Sequence, residues 1–267
     1  MLTTGYRLAG MALLTLVFSC TLDNLIDVEV PVQLPAIVIE GYLSPGFPIQ
    51  IAVARNNLMD DELILQPIWN ATAYLTDRHD TLFLANIFSM NSSRKFVFNY
   101  IHNSTTQFFQ GNHLYLSVFT RQGDTLYAET ARTATVHINS IALADDNLNM
   151  GVTADGPFTG YARVDITAYN ADTVSSVQSK FMKMPESPDN LQIPVLPGMS
   201  MADSLLVKFF HITETYYNYG VSVHNARSAY GDPFLTPEAI RSNITNGIGI
   251  FTYYTFDSET VYPALLD

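Results

Sequence analysis

The residues best suited to catalysis in this sequence do not form a complete catalytic set. One Ser-x-x-Lys pattern runs from Ser92 to Lys95, and serine and lysine at this spacing carry out acyl transfer in β-lactamases and penicillin-binding proteins. The Ser-Asp-Asn and Lys-Thr-Gly motifs that complete that chemistry are absent from the chain, as is a Gly-x-Ser-x-Gly nucleophile elbow. None of the six histidines belongs to a His-Glu-x-x-His zinc motif. We therefore expect no enzymatic activity.

Acidic residues offer two weaker patterns. Asp145, Asn147 and Asn149 alternate like the first ligands of a calcium loop, but Met150 stands where that loop needs glycine and its closing glutamate is missing. A polar turn is the better interpretation. Residues 60–62 (Asp-Asp-Glu) could supply the paired carboxylates of a glycosidase, although a chain with 25 acidic residues contains such pairs by chance. The sequence therefore predicts neither a metal nor another cofactor.

The single cysteine, Cys20, ends an apolar run. Residues 8–19 (LAGMALLTLVFS) follow Arg7, as in a signal peptide, and are too few to span a bilayer, which takes about 20 apolar residues. Residues 17–19 (Val-Phe-Ser) resemble the lipobox of bacterial lipoproteins. We predict a lipoprotein signal peptide at residues 1–19 and acyl chains on the Cys20 thiol that anchor the protein to a membrane. The alternative is an ordinary signal peptide or a buried N-terminal helix.

Tyrosines of the C-terminal half form the remaining candidate site. Tyr216, Tyr217 and Tyr219 lie in one segment, and Tyr253 and Tyr254 lie in another. A tyrosine combines a large apolar ring with a hydroxyl, which favours it at protein interfaces. We predict a binding interface at these five residues, and packing in the core or on a sheet face is the alternative interpretation.

Composition restricts the class of protein further. The chain of 267 residues has 13 Lys and Arg against 25 Asp and Glu, which gives a net charge of −12. This balance argues against a nucleic-acid partner, because phosphates attract clustered cations. With Cys20 acylated, no cysteine remains for a disulfide or a zinc site. A hydrophobic core must therefore stabilise one or two domains.

The elements that must position these residues are mainly strands. Residues 20–35 contain acidic residues and prolines and are predicted to form a tether. Residues 36–134 alternate short β-like runs with turns, as in PIQIAVAR at residues 48–55, where every second residue is a larger apolar one. We predict an immunoglobulin-like β-sandwich over residues 36–134, by architecture alone, because the Cys–Trp–Cys signature of antibody domains is missing.

Residues 135–267 are predicted to form a β-rich C-terminal domain with one short helix. Thr213 would cap a helix over residues 214–230. Polar and proline-rich sequence predicts loops over residues 144–158 and residues 184–199.

Several stretches together resemble a known family. They are the lipobox Cys20, VEVPVQLPAIVIEGYLSPGFPIQIAVAR, ITETYYNYGVSVHNA and DPFLTPEAIRSNITNGIGIFTYYT. The chain is similar to a Bacteroidota-type family of outer-membrane lipoproteins, catalogued as a domain of unknown function and often encoded beside TonB-dependent receptors. The resemblance implies an outer-membrane lipoprotein with an N-terminal sandwich, and it transfers no catalytic residue. In the closing run, Gly247 and Gly249 predict a bulge or a close backbone approach.

From this resemblance we expect a protein that acts by binding a partner and not by catalysis. We expect a non-enzymatic lipoprotein on the periplasmic or cell-surface face of the outer membrane, where it assists a TonB-dependent receptor by capping it or handing it ligand. The alternatives are a structural or adhesive pilus-type component, which an open hydrophobic edge strand would favour, and a hydrolase with an unrecognised site. A cleft lined by converging acids or by a histidine–acid pair would favour the hydrolase.

Overall fold

The computed structural model describes six stretches of the chain, which are residues 36–56, 65–91, 96–144, 146–184, 190–229 and 238–263. All of them lie in a compact unit that spans residues 34–267. The predicted signal peptide and tether, with Cys20, lie outside the described residues, as do Ser92, Lys95 and Asp145. No helix within the described stretches is long and apolar enough to cross a membrane.

The protein is mainly β, as the sequence predicts. The strands of the first half are β1 (Ile37–Leu43), β2 (Pro48–Arg55), β3 (Gln66–Pro67), β4 (Thr72–Thr76), β5 (Thr81–Asn91), β6 (Phe96–Thr105), β7 (His113–Phe119) and β8 (Thr125–Ala131). The second half contains β9 (Val136–Ala144), β10 (Asn147–Ala154), β11 (Tyr161–Asn170), β12 (Thr173–Lys183), β13 (Leu191–Pro194), β14 (Ser204–Ile212), helix α1 (Glu214–Ala229) and β15 (Ile248–Val261).

The first half forms the predicted sandwich. Strands β1, β2 and β6 make one layer, and β5, β4, β7 and β8 make the other, although hydrogen bonds join both layers into one continuous sheet. Strand β5 belongs to both, because its first residues pair with β4 and its later residues pair with β6. Alternate side chains of each strand point into the space between the sheets, and Ile49, Ile51 and Val53 of β2 are fully buried there. This is the architecture of an immunoglobulin-like sandwich.

A second hydrophobic core lies in the second half. It is enclosed by the four strands β12, β11, β14 and β15 on one side and by the three-stranded sheet of β13, β10 and β9 on the other. Val164, Val207 and Phe209 of the larger sheet meet Leu148 and Ile193 of the smaller sheet in this core.

Strand β15 joins the two halves into one twelve-stranded sheet. Residues 248–253 pair in parallel with β1, and residues 254–261 pair antiparallel with β14. Phe251 and Tyr253 consequently pack in the first core, whereas Val261 packs in the second. The C-terminal strand thus completes a sandwich that N-terminal residues build. The domain boundary expected between residues 134 and 135 stays a prediction.

Both loops predicted from polar and proline-rich sequence contain strands, and the predictions are wrong at those strands. Leu148, Met150 and Val152 of β10 are buried although they lie in the expected loop at residues 144–158, and Leu191 and Ile193 of β13 are buried in the other. Apolar residues at every second position are enough to fill one face of a narrow sheet, whatever polar residues stand between them.

The predicted helix is confirmed as α1. The Thr213 hydroxyl accepts a hydrogen bond of 3.2 Å from the backbone N–H of Tyr216, which is the geometry of an N-cap. Within α1, a Cβ on Gly220 would stand 2.2 Å from Cζ of Phe181. The glycine therefore allows the helix to lie directly on β12, with its first residues over β11 and β15.

Candidate functional site

A cluster of aromatic side chains lies between α1 and the outer side of the twelve-stranded sheet. Residues of a strand point alternately to its two faces, so burial of Phe209 in the second core directs its neighbour Phe210 outward. Strands β1 and β15 direct further rings to the same side, and the β1–β2 turn adds one more. We call this cluster the aromatic face, and its members are Tyr42, Phe47, Phe210, Tyr216, Tyr254 and Phe256.

The rings of the aromatic face touch in an unbroken series. Ring centroids are 6.4 Å apart for Tyr216 and Tyr254, 5.6 Å for Tyr254 and Phe210, 5.5 Å for Phe210 and Phe256, and 6.0 Å for Phe256 and Phe47. All four distances are those of aromatic contacts. The two ends of the series differ in exposure, which is 5% at Tyr216 and 53% at Phe47. The end beneath the helix is therefore packed, and the end at Phe47 presents apolar surface.

A partly buried cation, Arg163 of β11, lies beside the packed end. Its guanidinium carbon stands 4.2 Å from the ring centroid of Phe210. The guanidinium donates a hydrogen bond to the Tyr216 hydroxyl and forms a 2.6 Å ion pair with Asp165. Burial opposes the charge of Arg163, but Tyr216 and Asp165 raise its pKa. Arg163 therefore ties the first turns of the helix to the sheet through charge-assisted and cation–π contacts.

A partly buried carboxyl, Glu40 of β1, lies near the same helix. The hydroxyls of Tyr42 and Tyr219 stand 3.4 Å and 3.5 Å from its two oxygens. Burial raises the pKa of Glu40, while the two hydroxyls and the charge of Arg227 counteract it. Burial and the charge of Glu40 raise the pKa of Tyr219 to about 12. Both tyrosines consequently keep their protons at neutral pH and act as donors to the carboxyl.

The five predicted interface tyrosines lie in two different environments. Tyr216 and Tyr254 belong to the aromatic face and are buried, whereas Tyr217 and Tyr219 on α1 are partly exposed. Tyr253 points to the opposite side of the sheet, into the first core, where it is 2% exposed. A side chain this deeply buried offers no area to a partner. The interface stays a prediction, and among these five residues it depends on Tyr217 and Tyr219.

The sequence-based prediction misses several members of the site, among them Glu40, Phe47 and Arg163. Two of them left a signal in the sequence. Glu40 is a charge in the middle of the apolar strand IVIEGYL, and Phe47 is a large ring directly after a Ser-Pro-Gly turn. An isolated charge or ring of this kind is common, so only the strand pairing shows that they adjoin the tyrosines.

The fully buried histidine, His211 of β14, has a structural role. Its Nε2 accepts a 2.9 Å hydrogen bond from the backbone N–H of Thr159, so Nδ1 carries the proton and donates to the carbonyl oxygen of Ala134 at 2.9 Å. Burial lowers the pKa of His211, against the opposing effect of the hydrogen bond to Ala134. The ring also stacks on Phe158 at 4.3 Å. Because both nitrogens bind backbone groups, this histidine connects two loops to the sheet.

A groove lies between the outer side of β7 and β8 and the beginning of α1. This groove has a volume of about 860 Å³, and its lining includes three tyrosines and two carboxylates, which are Tyr115, Tyr127, Tyr161, Glu129 and Glu214. Ligand sites have volumes of about 300–1,000 Å³. The groove is therefore large enough for a small polar ligand.

Metal-binding geometry is not found in the part of the chain that the structure describes, where no three histidine, cysteine, aspartate or glutamate side chains come together. Asn147 and Asn149 of the calcium-like pattern lie in β10. Residues 60–62 lie outside the described stretches, so the structure gives no position for those acids.

Comparison with known proteins gives one family. The profile of a family described as "Domain of unknown function (DUF4249)" matches residues 23–260. No curated protein matches the chain. One similar solved structure, described as "Cytokine receptor complex - Crystal form 1A", shares 8% sequence identity and a TM-score of 0.31 over 85% of this chain and 96% of its own. A similarity at this level carries no argument about fold or function.

Proposed function

This chain belongs to the family described as a domain of unknown function, DUF4249, and we propose that it is a non-enzymatic outer-membrane lipoprotein. In this proposal acyl chains on Cys20 hold it in the membrane, and it acts as an accessory or ligand-handling partner of a TonB-dependent receptor. The observation that carries the proposal is the aromatic face, because its open end is a rigid apolar surface suited to contact with another protein.

The open end of the aromatic face has the properties of a binding surface. Phe47 is half exposed and contacts Phe256, which β15 holds in place, while Lys208 of β14 lines the same concavity. Aromatic anchors contribute much of the binding energy of protein interfaces when they are held rigidly and flanked by polar groups. Here the sheet provides that rigidity, since all neighbouring rings are packed.

The groove at β7, β8 and α1 supports the ligand-handling part of the proposal. Its lining combines tyrosine rings with His113 and the carboxylates of Glu129 and Glu214. A few polar groups in a concave apolar frame are typical of ligand sites, and the same acids are the one observation that favours the hydrolase alternative.

The ionisable groups of low exposure support a non-enzymatic role. Arg163 and Glu40 bind tyrosines beneath α1, and His211 binds two backbone groups. Perturbed groups often mark catalytic sites, but each of these three has structural partners that account for its burial.

The alternative, a structural or adhesive envelope component, has one observation in its favour. Strand β12 is at the end of the twelve-stranded sheet and exposes Val174 and Val177. An edge of this kind can accept a strand from another chain. Lys180 and Lys183 lie on the same strand, and charges on an edge oppose such pairing. The aromatic face therefore gives the stronger support to a receptor partner.

The proposal is tested by copurification. The tagged protein is extracted from outer membranes with a mild detergent, and the proteins that accompany it are identified by mass spectrometry. We expect a large β-barrel receptor in that fraction, and recovery of the lipoprotein alone would contradict the receptor assignment.

A second measurement tests the anchor. Cys20→Ala should move the protein from the membrane to the soluble fraction. A variant that remains membrane-bound after removal of its signal would contradict lipid attachment at Cys20.

A further inference from the structure

The described part of the chain begins at Ala36, at one end of the first sandwich. Ala36 directly precedes β1, and the first residue of β1, Ile37, pairs with the last residue of β2, Arg55. The side chain of Asn99 in β6 bonds the backbone of Val53 near the end of β2, at 2.8 Å and 2.9 Å. The end of β5, which pairs with the start of β6, therefore lies at the same end of the sandwich. We call this region the tether end.

The tether end exposes a concentration of large apolar side chains. Strand β5 contributes three that are each more than half exposed, and β3 and β15 lie at the same end through their pairing with β2 and β1. The exposed set consists of Leu65, Trp69, Ile87, Phe88, Met90 and Ile248. Soluble proteins rarely leave so many large apolar groups in one region, and such regions mark protein or membrane contacts.

From this surface we infer that the tether end contacts a lipid bilayer. The polar groups of the region agree with the water–hydrocarbon boundary of a membrane. Trp69, which is 38% exposed, lines a shallow pocket of about 200 Å³ with Arg55 and Arg121. Tryptophan is enriched at that boundary because its ring is apolar and its N–H is polar, and guanidinium groups bind phosphates. Arg55 is held in place by Gln122 at 2.7 Å and Asp124 at 3.3 Å.

The position of the tether favours lipid over other occupants. This step depends on the proposed acyl anchor at Cys20. Residues 20–35 can span at most about 55 Å when fully extended, and they enter the sandwich at the tether end. The anchor would therefore confine this end to the neighbourhood of the bilayer, and confinement raises the effective concentration of the lipid surface. A surface of modest apolar area is then sufficient for contact.

Trp69 provides a direct test, because it is the only tryptophan of the chain. The acylated full-length protein is purified from membranes and reconstituted into vesicles of phosphatidylcholine and phosphatidylethanolamine, with or without brominated acyl chains. We expect the emission of Trp69 to shift to shorter wavelength and to fall by at least half with brominated lipid. A combined Ile87→Ser, Phe88→Ser and Met90→Ser variant should lose most of this quenching while it still floats with the vesicles.

A reporter at the other end of the sandwich provides the matched control, and it keeps the test valid if the triple variant does not fold. In a Trp69→Phe, Phe47→Trp variant, the reporter lies in the β1–β2 turn, and brominated lipid should leave its emission unchanged. If the wild-type protein floats with vesicles but brominated lipid does not quench the emission of Trp69, the inference is overturned and the proposed acyl anchor is still supported. A protein that carries no acyl chain and does not float contradicts the anchor instead. Quenching that requires a copurified membrane protein would identify that protein as the occupant and also overturn the inference.

Discussion

Gly249 of β15 lies against the backbone of Ile39 in β1, so that a Cβ on the glycine would stand 2.0 Å from the Ile39 carbonyl oxygen. Its φ of +115° also belongs to a region that other residues rarely adopt. A Cβ on Gly247 would similarly stand 2.8 Å from the Ile37 carbonyl oxygen. The close backbone approach that the sequence predicts at these glycines is confirmed. The parallel pairing that joins the two cores depends on the absence of side chains here.

We predict that Gly249→Ala lowers the free energy of unfolding by more than about 2 kcal/mol, because the new methyl group must push β15 away from β1 and adopt a strained φ. Urea denaturation of the two proteins measures the difference. Gly46→Ala is the control, since Gly46 has a φ of +80° but no atom within 4 Å of the added Cβ. It should lose only about 1 kcal/mol. Equal losses would show that backbone conformation alone, and not the approach to Ile39, decides the effect.

The alternation of apolar residues made the strands of the first sandwich predictable. Ile49, Ile51 and Val53 lie on the buried side of β2, as their spacing indicates. The pairing of β15 with β1 was not predictable, because about 200 residues separate them and no local pattern encodes a parallel partner. Only the glycines at residues 247 and 249 indicated a close approach of another part of the backbone.

Asp77 organises the turn between β4 and β5. One carboxylate oxygen accepts hydrogen bonds from the backbone N–H groups of His79 and Asp80, at 3.0 Å and 2.8 Å. The other accepts from Gln110 and Gly111, at 3.0 Å and 2.8 Å. Burial opposes the ionisation of Asp77, but these four donors outweigh it and lower the pKa well below its usual range.

We predict that Asp77→Asn reduces stability by about 1–3 kcal/mol at pH 7, because an amide offers one acceptor where the carboxylate offers two. The pKa of Asp77 is lower in the folded than in the unfolded state. Its contribution is therefore complete above the unfolded value of about 3.9 and is lost as pH falls through the folded value. Denaturation at pH 7 and below pH 4 should show the two proteins converging in acid. Asp172→Asn, in an exposed turn, should follow the wild type, and a constant gap at all pH values would contradict the role of ionised Asp77.

Glu40 gives the opposite pH dependence, because burial raises its pKa. The unfolded chain then releases the proton at lower pH than the folded chain does, so stability falls as pH rises from the unfolded to the folded pKa. We predict that Glu40→Gln is more stable than the wild type at pH 8, by about 1 kcal/mol, and that the gap closes toward pH 4. Thermal unfolding across this range measures it, with Glu259→Gln on the exposed part of β15 as the control. A Gln variant that is less stable at pH 8 would show that Tyr42, Tyr219 and Arg227 fully stabilise the carboxylate.

The candidate site was predictable only in part. Sequence spacing identified the tyrosines of α1 and β15 but could not separate Tyr253 from Tyr254, because the pleat sends adjacent residues to opposite faces and the sequence does not say which face is covered. Arg163 and Glu40 come from strands on either side of the pair formed by β14 and β15. Both residues lie beneath the helix because of the order of the strands in the sheet, and short-range sequence patterns do not encode that order.

The open end of the aromatic face yields a prediction that separates binding from stability. Phe47→Ser should reduce the amount of receptor that copurifies with the tagged protein at least fivefold, since losing an aromatic anchor costs an interface about 1–2 kcal/mol, and 1.4 kcal/mol corresponds to a factor of ten. The melting temperature should change little, because Phe47 is already 53% exposed. Quantitative mass spectrometry of the copurified fraction measures the first effect and calorimetry the second.

Phe108→Ser is the matched control for this prediction. Phe108 is 46% exposed and does not belong to the aromatic face, so its loss removes a similar apolar area from a different surface. If the amount of copurified receptor falls equally for both variants, exposed apolar area in general, and not the aromatic face, would account for binding. If neither loses receptor, the contact must lie elsewhere, and the partly exposed Tyr217 and Tyr219 on α1 become the next residues to replace. The aromatic face is therefore supported as the receptor contact only by a loss at Phe47 that Phe108 does not share.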